Sequence, residues 1–187
     1  MRKMLQEGVT LIEALVTLGI VSVGLAVGVP AVRDIVATNR MSSAVNDIVT
    51  SLHIARNEAV KRADQAVLCA STNWNLPSAQ CADVNLAEGW VIFVDVNADD
   101  VRDAGEALIF AHQPLDQSIT LTGENLVRFS DLGIPSVGPP GDMSDIEFLL
   151  CDERGNSVSG DITAGRKINM TTTGRPLVVA TLAEVNC

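Results

Sequence analysis

Glu13 is an acid in the wrong solvent. Residues 8–30 read GVTLIEALVTLGIVSVGLAVGVP, and Glu13 is the one charge between Val9 and Val29. A carboxylate at membrane depth costs about 2.5–3.5 kcal/mol on insertion scales, and less near a helix end where it can reach the interface. Glu13 is therefore either an interfacial acid without a role or a charge awaiting a cation. A second candidate is DVNADDVRDAGE at 95–106. Counted from Asp95, oxygen-bearing side chains fall at positions 1, 3, 5, 9 and 12, namely Asp95, Asn97, Asp99, Asp103 and Glu106, with the Val101 carbonyl at 7. This is the spacing of an EF-hand calcium loop. Against it, position 6 holds Asp100 where the turn needs glycine, and expected strands rather than helices flank the segment. An acidic, solvated hairpin loop is the stronger reading; calcium is the single cofactor candidate.

The cysteines are Cys69, Cys81, Cys151 and Cys187. None forms Cys-x-x-Cys and no histidine lies near them, which argues against zinc. An even number behind a membrane-targeting N-terminus points to disulfides in an oxidising compartment. Of the three pairings, Cys69–Cys81 closes a short loop and Cys151–Cys187 pins the last residue, and this pairing is favoured. Catalysis finds no GxSxG, HExxH, Walker A or dinucleotide-binding pattern. His53 and His112 are isolated and read as packed or solvated histidines. The chain is expected not to be an enzyme.

These residues need elements to hold them. The length, 187 residues, allows one modest domain plus an appendage. Net charge is −10 and aromatics are 3%, with no tyrosine. Phosphate backbones repel such a chain and base-stacking platforms are scarce, so nucleic acid is disfavoured as a partner. As a helix, Val9–Val29 would reach roughly 30 Å, a hydrocarbon core's thickness. Arg2 and Lys3 precede it and should stay cytoplasmic. The apolar run leads straight into further helix, which favours a retained anchor over a signal peptide. Pro30 is expected to bend this helix or open its hydrogen bonding. Beyond it, Met41, Val45, Ile48, Leu52, Ala55 and Ala59 keep one helical face, with Asp47, Ser51 and Arg56 mainly away from it. After Lys61 the pattern turns to short strands: 66–69, 90–95, 107–111, 118–121, 126–129, 146–151, 167–170 and 177–182. Turn-rich breaks such as GIPSVGPPGDMSD at 133–145 separate them. The expected fold is α+β, a long helix packed on an antiparallel sheet or sandwich, with Trp90 in its core.

Gly8-Val-Thr-Leu-Ile-Glu13 resembles the Gly-Phe-Thr-Leu-Ile-Glu signature of type IV pilins and type II secretion pseudopilins. The short basic leader, Gly8, Glu13, the apolar span and Pro30 agree in register. The resemblance implies cleavage by a prepilin peptidase between Gly8 and Val9 and N-methylation of Val9, which stands where phenylalanine is usual. Glu13 would become the fifth mature residue and Pro30 the twenty-second. The new amine of one subunit would then meet Glu13 of its neighbour. Further along, ARNEAVKRADQAVLCAS, GWVIFVDVNADD and TTTGRPLVV resemble the GspH/FimT/FimU group of minor pseudopilins and minor pilins. This implies a leader at 1–8, a transmembrane and assembly helix at 9–30, its amphipathic continuation at 31–62 and a β-rich periplasmic head at 63–187. It implies an inner-membrane subunit that initiates or caps a pilus or pseudopilus with other minor and major subunits. FimT-like proteins use Gly-Arg-x-Arg to contact DNA. Here Gly174-Arg175-Pro176-Leu177 lacks the second arginine, with Arg166 and Lys167 as substitutes, so DNA uptake is the alternative.

Overall fold

The computed structural model describes residues 9–137, 146–160, 162–181 and 183–187. The leader, Gly8 and much of the 133–145 break lie outside them. The chain divides into two compact units, Met1–Thr38 and Asn39–Cys187. One helix, α1 (Leu11–Arg62), begins in the first unit and ends in the second.

In the first unit the apolar side chains are exposed, Leu11, Leu18 and Ile20 among them. Such an exposed apolar surface suits lipid or neighbouring helices. Two hydroxyls within the apolar span are satisfied locally: Thr17 donates to Ala14 O at 2.9 Å and Ser22 to Gly19 O at 2.8 Å. Local satisfaction is what a hydrocarbon environment demands. The helix continues through Pro30.

In the second unit the expected stripe is the buried one. Met41, Val45, Ile48, Leu52, Ala55 and Ala59 all lie in the core. Ser51, expected off that face, is fully buried instead. Its hydroxyl donates to Asp47 O at 2.7 Å and accepts from Trp90 Nε1 at 2.8 Å. Burial of a hydroxyl is tolerated because both of its roles are filled. At the helix end, Arg62 and Lys61 bond Glu58 at 2.8 and 3.1 Å. Hydrogen bonds from Arg62, then Lys61, hold the Glu58 carboxyl below its ordinary range.

The strands are β1 (Gln65–Ala70), β2 (Trp90–Asp95), β3 (Leu108–His112), β4 (Thr120–Gly123), β5 (Leu126–Phe129), β6 (Pro135–Ser136), β7 (Glu147–Cys151), β8 (Val158–Ser159), β9 (Ile162–Met170) and β10 (Pro176–Thr181). They form two antiparallel sheets, ordered β3-β2-β1-β5-β6 and β10-β9-β7-β4, with β8 also on β9. The α1 stripe shares one core with Leu68, Trp90, Ile92 and Phe129 of the first sheet and Phe148, Leu150 and Ile168 of the second.

The first sheet is covered on both faces. Val67, Cys69, Val91 and Phe93 point away from α1 and form a second core with Ala79, Trp74 and Cys81. The cover is the loop after β1, closed by the Cys69–Cys81 disulfide. Double coverage explains why WVIFVD is apolar at nearly every position and buried throughout. The second disulfide, Cys151–Cys187, fastens the C-terminus to β7.

Candidate assembly site

The first candidate site is the opening turn of α1. Thr10 precedes the helix and Glu13 lies in its first turn. The Glu13 amide donates to Thr10 Oγ1 at 3.3 Å. Thr-x-x-Glu at a helix start is the capping-box pattern, in which the acid serves the cap's own amide. A carboxylate here also faces the positive end of the helix dipole. The bond present is from the Glu13 backbone amide, so the Thr10 hydroxyl caps the helix start and leaves the carboxylate for another partner. Val9 is exposed beside it, while Gly8, across the expected scissile bond, lies outside the described residues.

The 95–106 segment joins β2 to β3, and its acids close the loop on itself. The Asp95 carboxylate is buried and accepts from Gln65 Nε2 (2.9 Å), Asp99 N (3.3 Å) and Asp100 N (2.9 Å). Glu106 accepts from Val96 N at 2.8 Å and Asp103 N at 2.9 Å. Asn97 Nδ2 donates to Asp99 at 2.9 Å and Asp103 at 3.1 Å. Among the described residues, no three His, Cys, Asp or Glu side chains are grouped to hold a metal. Asp100, at the position expected to need glycine, does adopt a left-handed φ of +66°. Aspartate tolerates that conformation better than most residues. Its carboxylate makes a forked ion pair with Arg128 of β5. An aspartate here therefore ties the loop to the sheet.

The Gly-Arg motif lies in the turn from β9 to β10. Gly174 is buried with φ +75°. A Cβ there would run into the Gly133 carbonyl and meet Arg56 Nε at 3.0 Å. Gly133 is equally confined, with φ +73° and Val60 Cγ2 at 3.0 Å from where its Cβ would be. Arg56 Nε donates to Gly133 O at 3.2 Å. The two glycines thus make a close junction of α1, the β5–β6 turn and the β9–β10 turn. Arg175 beside it is exposed. Lys167 pairs with Glu147 at 2.6 Å, and Arg166 Nη1 donates to the carbonyls of Thr163, Ala164 and Gly165 at 2.5, 3.2 and 2.8 Å. Lys167 lies opposite Val179, whereas Pro176 lies opposite Met170, so both basic residues stand down the ladder from the Arg175 turn.

His112 takes a packed position. Its ring stacks on Trp90 with centroids 4.0 Å apart and faces Asp47 Oδ2 at 3.5 Å. With the Trp90–Ser51 bond, it forms a polar seam between α1 and the first sheet. His53 is exposed.

An apolar helix that continues into a stripe packed on antiparallel sheets is a pilin-like α+β fold. The chain belongs to the GspH family: the family described as Type II transport protein GspH matches residues 44–174. The fold is similar to crystal structures of the type IV minor pilin FimU from Pseudomonas aeruginosa (strain PAO1). In space group P21 the likeness has a TM-score of 0.51 and 19% identity, and covers 75% of this chain and 89% of that one. In space group P65 the values are 0.49, 18%, 74% and 91%. No curated protein sequence matches the chain. The chain thus has the GspH family's match across most of its head and a FimU-like fold, and α1 includes a stretch long and apolar enough to cross a membrane.

Proposed function

We propose that this subunit enters a type IV pilus or type II secretion pseudopilus through its apolar helix and helps to initiate or cap it. A prepilin peptidase would first cut between Gly8 and Val9, and Val9 would be methylated. The head would face the periplasm before incorporation. The observation that carries the reading is the opening turn of α1, where Glu13 and the exposed Val9 stand next to an exposed apolar helix surface. In lipid the new Val9 amine of one subunit and Glu13 of the next would neutralise each other only in correct register. Breaking one half of such a pair leaves a buried charge uncompensated, typically a cost of about 3–5 kcal/mol.

Glu13→Val in the full-length chain is expected to be processed normally yet fail to enter filaments or copurify with other pilins. Mass spectrometry of protein from its own host should find a mature chain that starts at methylated Val9. Unimpaired incorporation of the variant, or a working form that retains residues 1–8, would end the proposal. DNA uptake remains the alternative. The engagement of Arg166 and Lys167 within the head weighs against it, and a low-salt gel shift should show no retained DNA.

A further inference from the structure

His112 has a place in the packing of the second unit and no part in the assembly reading. It ends β3, and its neighbours fix how many protons its ring must carry. Nδ1 lies 2.6 Å from Gln113 O. A carbonyl oxygen only accepts, so Nδ1 bears a hydrogen. Nε2 lies 3.5 Å from Asp47 Oδ2 of α1. An ionised carboxylate also only accepts. A neutral imidazole has one N–H and serves one of these partners, whereas the imidazolium serves both. The face of the ring agrees. It stacks on Trp90 with centroids 4.0 Å apart and planes 8° apart. A cation over an indole face is attracted by the ring's negative face. Trp90 is itself fully buried, with Nε1 on Ser51 of α1, so that face is held in place.

The charged groups around the ring come from two elements. Arg40 and Asp47 of α1 and Asp116 of the loop after β3 line a cleft of about 250 Å³ with His112. β2 contributes the uncharged Trp90. Asp116 is engaged elsewhere: it accepts from the Ser118 hydroxyl at 2.6 Å and amide at 2.9 Å, and Arg40 Nε lies 3.5 Å from it. The Ser118 bonds, ahead of the Arg40 charge, hold the Asp116 carboxyl below its ordinary range. The Arg40 charge is thus answered within the cleft, and Asp47 is the carboxylate that faces His112. The His112 side chain is 18% exposed, so protons reach it from solvent.

We propose that His112 is a proton-dependent clasp between α1 and the first sheet, in which the doubly protonated ring joins Asp47 to Gln113 over the face of Trp90. When one proton leaves to solvent, the other stays on Nδ1 beside its nearer partner, and the link to Asp47 is lost. Folding then takes up a proton, so the clasp stabilises the chain at acid pH and fades as pH rises through the titration of the folded ring. It does not depend on the assembly reading. The full-length chain, with isotope-labelled histidine, is titrated by NMR in detergent micelles from about pH 5 to about pH 9. The chain has two histidines, and the exposed His53 is the reference in the same sample. His112 should stay doubly protonated to a pH at which His53 is already neutral, and Nδ1 should be the last nitrogen to hold hydrogen. Asp47→Asn, at a half-exposed side chain, should bring the His112 titration towards that of His53 and leave His53 unmoved. Melting gives an independent reading: the gap in Tm between the parent and Asp47→Asn should be about 2–4 °C wider at the acid end than at the alkaline end. The clasp is overturned if His112 loses its proton with or before His53, keeps hydrogen on Nε2 instead, or titrates alike in the parent and Asp47→Asn. A Tm gap that does not change with pH overturns it as well.

Discussion

Gly174 and Asp100 show how little a residue type says until its backbone is known. Both occupy left-handed conformations. Gly174 does so in a space where the Gly133 carbonyl leaves no room for a side chain. Asp100 does so with its carboxylate turned to Arg128. Gly174→Ala is therefore expected to destabilise the chain by about 1–3 kcal/mol, through strained φ and the crowded Cβ. Urea denaturation of both proteins measures this, and an unchanged midpoint would show that the junction yields. The approach of Gly174 to α1 was not legible in the sequence, because Arg56 and Gly133, which it meets, lie far from it along the chain.

At the scale of the element, α1 carries two surfaces on one helix. Its first half offers apolar side chains to the outside, and its second half turns a narrow stripe to the core. The 3.6-residue period made that stripe readable, Met41 through Ala59. Ser51 escaped because a serine scores as polar wherever it stands. Trp90 Nε1 decides its burial, since an indole N–H removed from water needs an acceptor. Ser51→Ala should cost about 1–3 kcal/mol by leaving that N–H unsatisfied. Trp90→Phe in the Ser51→Ala background should recover part of the loss, as chemical denaturation of the double variant would show. No recovery would mean that the seam depends on packing alone. Among the strands, β2 and β7 followed runs of apolar residues. The two-residue strands β6 and β8 are too short to carry a period, and the first half of β9, ITAGR, has no alternation to announce it.

The whole molecule depends on a cover as much as on a core. The Cys69–Cys81 loop shields Val67, Val91 and Phe93 on the outer face of the first sheet. Arg102 clasps that loop from the 95–106 segment, with Nη1 at 2.8 Å from Pro77 O and 3.1 Å from Ala79 O. Replacing Cys69 and Cys81 together by serine should cost about 3 kcal/mol from the freed loop alone. The exposed outer face should then bind a hydrophobic dye that the parent ignores. A dye-silent variant of parental stability would show that the loop stays closed without its bond. The 95–106 segment holds its own amides, so adding calcium or a chelator should shift the melting temperature by less than about 2 °C. A larger calcium-dependent rise would assign the loop a metal.

By itself, the sequence determined the features that depend on neighbours along the chain. These are the apolar span with its single acid, the helical stripe and the longer strands; for the four cysteines it favoured one of three pairings, the one the structure contains. Periodicity and loop length are local quantities, and local physics suffices to read them. Only the tertiary structure decided the coverage of both faces of the first sheet, the burial of Ser51, the use of Asp100 as an anchor and the meeting of Gly133 with Gly174. Each of these joins residues that are distant in sequence, and the free energy of such contacts exists only once the chain has brought them together.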